Sequence, residues 1–336
     1  MDPCTQGLLG TVFASSFAKK DKLKFAAICG GIGGLAPDLD VLIKSDNDPL
    51  LFIEYHRHFT HSLAFVPFGG LIVAAFLYLF FKNLTSFKYT YMFSTLGYLT
   101  HGLLDSCTSY GTSLLWPFSD FRVAWNIISI IDPIYTFILF IFLILCLFRK
   151  SVLLIRTGLI ISFIYLAFGF IKYGQVKSYM LAIANNRGHK IERILLNPTI
   201  GNTILWRSVY QSSDNYYVDA VYMPLFSEAI LREGVTLKVI DKENVFPELS
   251  NISVQRKDIR RFSYFSQNYI YLHPEHENMI ADLRYGTFPY DDKSLWGIKI
   301  DVNNPDEHVS FTNLRNFNDS YYNDFWLMLK GRFNSQ

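Results

Sequence analysis

Residues 63–81 read LAFVPFGGLIVAAFLYLFF, nineteen positions without a single charge. At about 1.5 Å per residue a helical run of this length crosses a hydrocarbon core of about 30 Å. Three more apolar runs follow, at 89–104 (YTYMFSTLGYLTHGLL), 133–148 (PIYTFILFIFLILCLF) and 151–171 (SVLLIRTGLIISFIYLAFGFI). Two shorter ones, 6–18 and 24–36, flank a KKDKLK turn and read as tilted, re-entrant or core helices. Only 18% of residues are charged, against about 25% in soluble domains, and the deficit lies before residue 172. The expectation is an α-helical transmembrane bundle of about six helices, two of them short, over residues 1–172.

Positive charge orients such a bundle. Lys19, Lys20, Lys22 and Lys24 cluster at one turn, Lys82 and Lys88 at another, and Arg149, Lys150 and Arg156 at a third. Six spans place all three on the cytoplasmic side. PDLD (37–40), HRHFTHS (56–62), the loop 105–131 and everything after 172 then fall on the other side. Asp2 stands where a cleaved signal peptide needs basic residues, so none is expected.

Beyond residue 172 the pattern changes. A helix is expected over 175–196, extending the last span. Strands are expected at 203–210, 216–223, 235–240, 268–273, 279–286 and 295–302, separated by turn residues such as SSDN and PYDDK. Helices are expected at 256–267 and 317–332. Residues 173–336 thus read as a soluble α+β domain on the extracytoplasmic side. The four cysteines (Cys4, Cys29, Cys107, Cys146) all precede it, so it holds no internal disulfide. A net charge of +2 lacks the basic excess of a nucleic-acid binder, and no nucleic-acid partner is expected.

Half of the eight histidines sit in the apolar part of the chain. His56, His58 and His61 fall within HRHFTHS, where a loop would let His56 and His61 converge although a continuous helix would set them about 140° apart. Neutral imidazole is the commonest metal ligand. His101 and Asp105 in HGLLD are four apart and share a helix face, and ionisable groups at membrane depth usually pair or serve function. Asp38 and Asp40 in PDLD suit a loop giving one ligand and one orienting partner. Asp132 before Pro133 suits either the site or a helix N-cap. Arg57 and Arg122 are candidate anion clamps, since guanidinium matches phosphate geometry. Trp116 and Phe118 read as an interfacial belt or pocket wall. Nitrogen and oxygen donors without a thiolate cluster favour zinc, manganese or iron, as one or two ions.

The chain resembles the YdjM-like family of bacterial inner-membrane proteins, described as metal-dependent hydrolases and, for the namesake, as LexA-binding. The likeness begins at DPCTQGLLG (2–10) and includes GGLAPDLD (33–40), HRHFTHSL (56–63) and HGLLDSCTSYGTSLLWPF (101–118). It continues through NPTIGNTILWRSVY (197–210) and ADLRYGTFP (281–289), nearly the whole chain. It implies a metal site of Asp38, Asp40, His56, His61, His101 and Asp105, in a multi-pass protein of the bacterial inner membrane. His58 occupies the variable position of the motif. A remoter likeness to zinc-dependent phospholipase C implies phosphoester chemistry, although those enzymes carry more histidines.

Two functions follow as expectations. One is a hydrolase of a membrane lipid or envelope phosphoester, with Asp38 or Asp105 as general base and Arg57 or Arg122 steadying the phosphate. The other is a non-catalytic scaffold with a structural metal and an outer domain that binds a partner protein.

Overall fold

Two short helices open the chain, α1 (Pro3–Ser16) and α2 (Leu23–Leu35), and glycine sets how closely they pack. In the computed structural model, which describes residues 1–315 and 319–333, Asp2 caps α1 by accepting from the Thr5 N–H at 3.0 Å, with Pro3 in the first turn. The GGIGG run of α2 lies against α1 and against α5 (Phe87–Ser106). A Cβ on Gly97 of α5 would sit 2.0 Å from the Gly30 carbonyl oxygen, so the two backbones touch there. Gly97→Ala must therefore push α5 off α2. We expect it to destabilise the helical unit by about 1–3 kcal/mol, read as a lowered unfolding midpoint in detergent micelles.

The chain divides into two compact units. Met1–Ile43, Tyr55–Phe170 and Ile200–Asn202 form the first; Lys44–Glu54, Ile171–Thr199 and the chain from Thr203 onward form the second. The first unit holds α1, α2, α4 (Val66–Phe81), α5 and α6 (Pro133–Arg149). Between α2 and α4 the chain passes through the short helix α3 (Leu51–Tyr55). A long helix, α7 (Val152–Asn186), runs from the first unit into the second.

Among the described residues, two helical stretches are long and apolar enough to cross a membrane alone, Lys20–Leu42 and Val152–Asn186. A third span results if Leu51–His61 and Val66–Phe81, which meet at 89°, count as one broken helix. Length and composition thus do not reproduce the expected count of six. The shortfall has physical causes: α6 has only 17 residues, and α5 carries Thr90, Ser94, Thr100, His101 and Asp105 buried against its neighbours.

The second unit contains two four-stranded antiparallel sheets. The first joins β1 (Arg193–Pro198), β2 (Leu205–Ser212), β3 (Asn215–Tyr222) and β4 (Ile230–Lys238) in chain order. The second joins β5 (Ile270–Leu272), β6 (Met279–Asp282), β7 (Trp296–Lys299) and β8 (Ser310–Asn313) in the same manner. Trp206, Tyr210 and Val221 pack on Val176, Met180 and Ala184 of α7, while Val209, Tyr216 and Val218 pack toward Tyr271, Ala281 and Leu283. With both faces covered, β2 is buried almost throughout. Arg261, on α8 (Val254–Phe265), donates to Asp48 at 3.0 and 2.9 Å and to Glu54 at 2.9 and 2.6 Å, which ties Lys44–Glu54 to this unit.

The six expected strands are present, with shifted ends. Neither β1 nor β8 was expected, and β1 lies partly within the stretch read as helix to 196. That helix stops at Asn186 because Gly188 adopts φ 73° and the His189 N–H closes on the Ala184 carbonyl at 2.9 Å. Helix α9 (Asp319–Met328) lies in the stretch expected as helix over 317–332, of which residues 317 and 318 lie outside the described residues.

Asp291 accepts from the Phe288 N–H at 3.0 Å and the Lys293 N–H at 3.3 Å in the second unit. Burial pushes its carboxyl up to about 6, with Arg207 opposing the shift. A raised carboxyl pKa favours the protonated folded form, so that contribution is complete below about pH 4 and lost as pH rises through about 6. Wild-type protection of the β6 and β7 amides from hydrogen exchange should therefore fall relative to Asp291→Asn over this window, by on the order of 2 kcal/mol. A difference that does not change with pH would contradict this.

Candidate metal centre

His101 and Asp105 lie one turn apart near the C-terminal end of α5 and are fully buried. His61 closes a 3-10 turn, Phe59–His61, and Asp38 sits in another, Ala36–Leu42, directly after α2. Gly102 brings the histidine turn close: a Cβ there would lie 2.1 Å from the His61 carbonyl oxygen. Four atoms converge. His101 Nε2 is 3.2 Å from Asp38 Oδ1 and 3.7 Å from Asp105 Oδ2. His61 Nε2 is 3.5 Å from Asp38 Oδ1 and 3.3 Å from Asp105 Oδ2.

These separations match the edges of a tetrahedron around an ion. Bonds of about 2.0–2.2 Å to nitrogen and oxygen put neighbouring ligand atoms about 3.3–3.6 Å apart. The tautomers fit as well. His101 Nδ1 faces the Gly34 carbonyl at 2.6 Å, and His61 Nδ1 faces Asp40 Oδ2 at 3.2 Å. Protons on both Nδ1 atoms leave both Nε2 atoms as electron-pair donors. Both Nε2 atoms are buried with no hydrogen-bond partner, an arrangement that is costly without an ion. Asp38 is 22% exposed, so the cluster is open on its side.

A second group shares Asp38 and adds Asp40 and His56. His56 Nδ1 is 2.8 Å from Asp40 Oδ1. The other oxygen of Asp40 accepts from the Arg57 N–H at 2.9 Å and the Thr60 hydroxyl at 3.1 Å, besides facing His61. Asp40 therefore orients both histidines, and is no vertex of the four-atom cluster. Arg57 adopts φ 62°, which turns the chain around Asp40.

The Arg57 guanidinium is directed at the cluster, with Nε 3.0 Å from Asp105 Oδ2 and Nη1 donating to the Thr108 hydroxyl at 2.8 Å. Asp105 also pairs with the Met1 amino group and accepts from the Gln6 side chain at 2.9 Å. Arg122 donates to the Gly111 carbonyl at 2.8 Å and the His56 carbonyl at 3.4 Å, holding the loop after α5 against HRHFTHS. Both guanidinium groups face the ring of Tyr110, at 4.8 and 6.0 Å.

Two candidates stand elsewhere. His58 packs on the rings of Trp116 and Phe59 and belongs to neither group. Asp132 caps α6, accepting from the Tyr135 N–H at 3.0 Å and the Tyr165 hydroxyl at 2.9 Å. Trp116 lines the aromatic cluster around His58, while Phe118 is 88% exposed. Sequence reasoning missed Gln6, Thr60, Thr108 and Tyr110. The one available signal was Gln6, a polar residue inside the first apolar run.

A helical membrane protein whose apolar core gathers histidine and aspartate donors around one point is the class this fold and site define. The chain belongs to the YdjM inner membrane protein family, whose model matches residues 1–176. It is 28% identical over 273 residues to the uncharacterized protein YfhP of Bacillus subtilis, covering 77% of each chain. It is also 34% identical over 113 residues to the inner membrane protein YbcI of Escherichia coli, covering 32% of this chain and 62% of that one. No solved structure matches.

Proposed function

We propose that this protein is a membrane-embedded, metal-dependent hydrolase of a lipid or envelope phosphoester. The observation that carries the reading is the convergence of His61, His101, Asp38 and Asp105 with unpartnered Nε2 atoms and one open side. These four residues would hold one divalent ion, with zinc preferred over manganese or iron by the donor set, while Asp40 behind them orients His61 and His56. A bound ion supplies Lewis acidity toward a phosphoryl oxygen and lowers the pKa of a water.

The chain's own groups divide the remaining work. Asp105 is held by Arg57 and Gln6, so the proton-accepting role falls to the partly exposed Asp38. Arg57 offsets the carboxylate charge that an anionic substrate would meet, and Arg122 holds the loop over His56. Leu39, Val41 and Leu42 are exposed on the same turn as Asp38 and Asp40, which supports a substrate with an apolar tail. The basic turns support a six-span topology with the site and the second unit outside the bacterial inner membrane.

The test uses full-length protein in micelles, stripped by chelator and reloaded with zinc or manganese. Phospholipid, isoprenoid-phosphate and generic phosphoester probes are offered in turn. Hydrolysis of one class that returns only with metal is the expected outcome. A metal-loaded protein inert toward all three sinks the hydrolase and leaves a scaffold with a structural metal and a protein partner.

A further inference from the structure

The β3–β4 loop, residues 223–229, ends in two side chains that a water-facing loop would not be expected to expose. Leu225 is 59% and Phe226 98% accessible. Their position is fixed by a buried cation. Lys172, only 1% exposed, donates from Nζ to the Pro224 carbonyl at 3.1 Å. Lys172 is also the first charged residue after the apolar stretch of α7. From Val152 to Ile171 that helix is about 30 Å long, with Arg156 of the basic turn near its start, and it continues unbroken to Asn186. Lys172 therefore marks the level at which α7 leaves the bilayer, and its hydrogen bond pins the loop to that level.

The surroundings mix polar and apolar groups as an interface requires. Gln175, Ser178 and Tyr179 of α7 line an open crevice of about 810 Å³ together with Leu225, Ser227 and Glu228 of the loop. Hydroxyl and amide groups one to two turns beyond Lys172 on α7 thus lie beside the apolar loop residues. Aromatic and aliphatic side chains partition into the headgroup boundary of a bilayer in this manner.

We propose that residues 223–229 form a membrane anchor, in which Leu225 and Phe226 insert into the interfacial layer of the bilayer that α7 crosses. The partner is the lipid surface itself. The proposal rests on α7 as a span and is independent of any metal chemistry.

A nitroxide label at Phe226→Cys, in a Cys4→Ser background, tests it in vesicles of phosphatidylethanolamine and phosphatidylglycerol. Cys29, Cys107 and Cys146 are buried and stay in place. Two references bracket the result: Ile164→Cys on the exposed side of α7, and Asp214→Cys at the β2–β3 turn, roughly 25 Å away along β3. The label at 226 should collide with oxygen in preference to a water-soluble nickel chelate, as at 164, and Leu225→Cys should repeat the result. Chelate access at 226 equal to that at 214 overturns the anchor. Exclusion of both reagents overturns it in favour of protein covering the loop. If position 164 itself reads as aqueous, α7 is no span and the proposal falls with it.

Discussion

His101→Ala should lose the metal, with affinity reduced by more than the roughly 10–100-fold that follows loss of an orienting partner. His101 is fully buried, and its Nε2 is one of four donor atoms that all lie within 4.8 Å of one another. Its removal leaves Asp38 and Asp105 facing each other with His61 as the remaining nitrogen donor of the cluster. Two carboxylates and one imidazole still attract a cation, but they no longer surround it. The substitution also leaves the Gly34 carbonyl without its 2.6 Å partner. Competition against a chromophoric zinc chelator measures the loss, with His58→Ala as the control. His58 lies on Trp116 and outside both groups, so its removal should leave affinity within a few-fold of wild type. Full metal retention by His101→Ala would remove the centre from consideration.

The candidate ligands were legible in the sequence because histidine and aspartate are conspicuous inside apolar runs. The i, i+4 spacing of His101 and Asp105 translated directly into one face of α5. The division of labour among them was not legible, since it depends on the path of the backbone. Arg57 at φ 62° wraps residues 56–61 around Asp40, and only that turn makes Asp40 the carboxylate behind two histidines. Arg57 read as a substrate clamp but faces Asp105, a pairing set by how α5 packs and not by anything near Arg57 in the chain. Gln6 reaches the same carboxylate across 99 positions. In the second unit, periodicity located the longer strands, whereas β1 shares its apolar pattern with the end of α7 and β8 has only four residues. The grip of Arg261 on Asp48, 213 positions earlier, leaves no local trace at all.

Asp38→Asn and Asp40→Asn should separate catalysis from metal binding. Asp38 Oδ1 contacts both histidine Nε2 atoms on the open side of the cluster and belongs to both groups. Asparagine keeps its shape and one oxygen but cannot accept a proton at neutral pH. Asp38→Asn should therefore cost about 10²–10⁴-fold in turnover, the range of general acid–base contributions, while its carboxamide oxygen keeps the fourth ligand position filled and the metal bound. Asp40 acts one step back. Its two oxygens face His56 and His61 and accept from the Arg57 N–H. Asparagine can present an acceptor to only one of these sites and must turn its amide toward another. Asp40→Asn should weaken metal binding by about 10–100-fold and lose turnover only in proportion, so that saturating zinc restores activity. The diagnostic is the response to added metal: recovery for Asp40→Asn, none for Asp38→Asn. If zinc rescues both variants equally, Asp38 acts as a ligand alone, and the proton acceptor must be sought elsewhere on the open side of the centre.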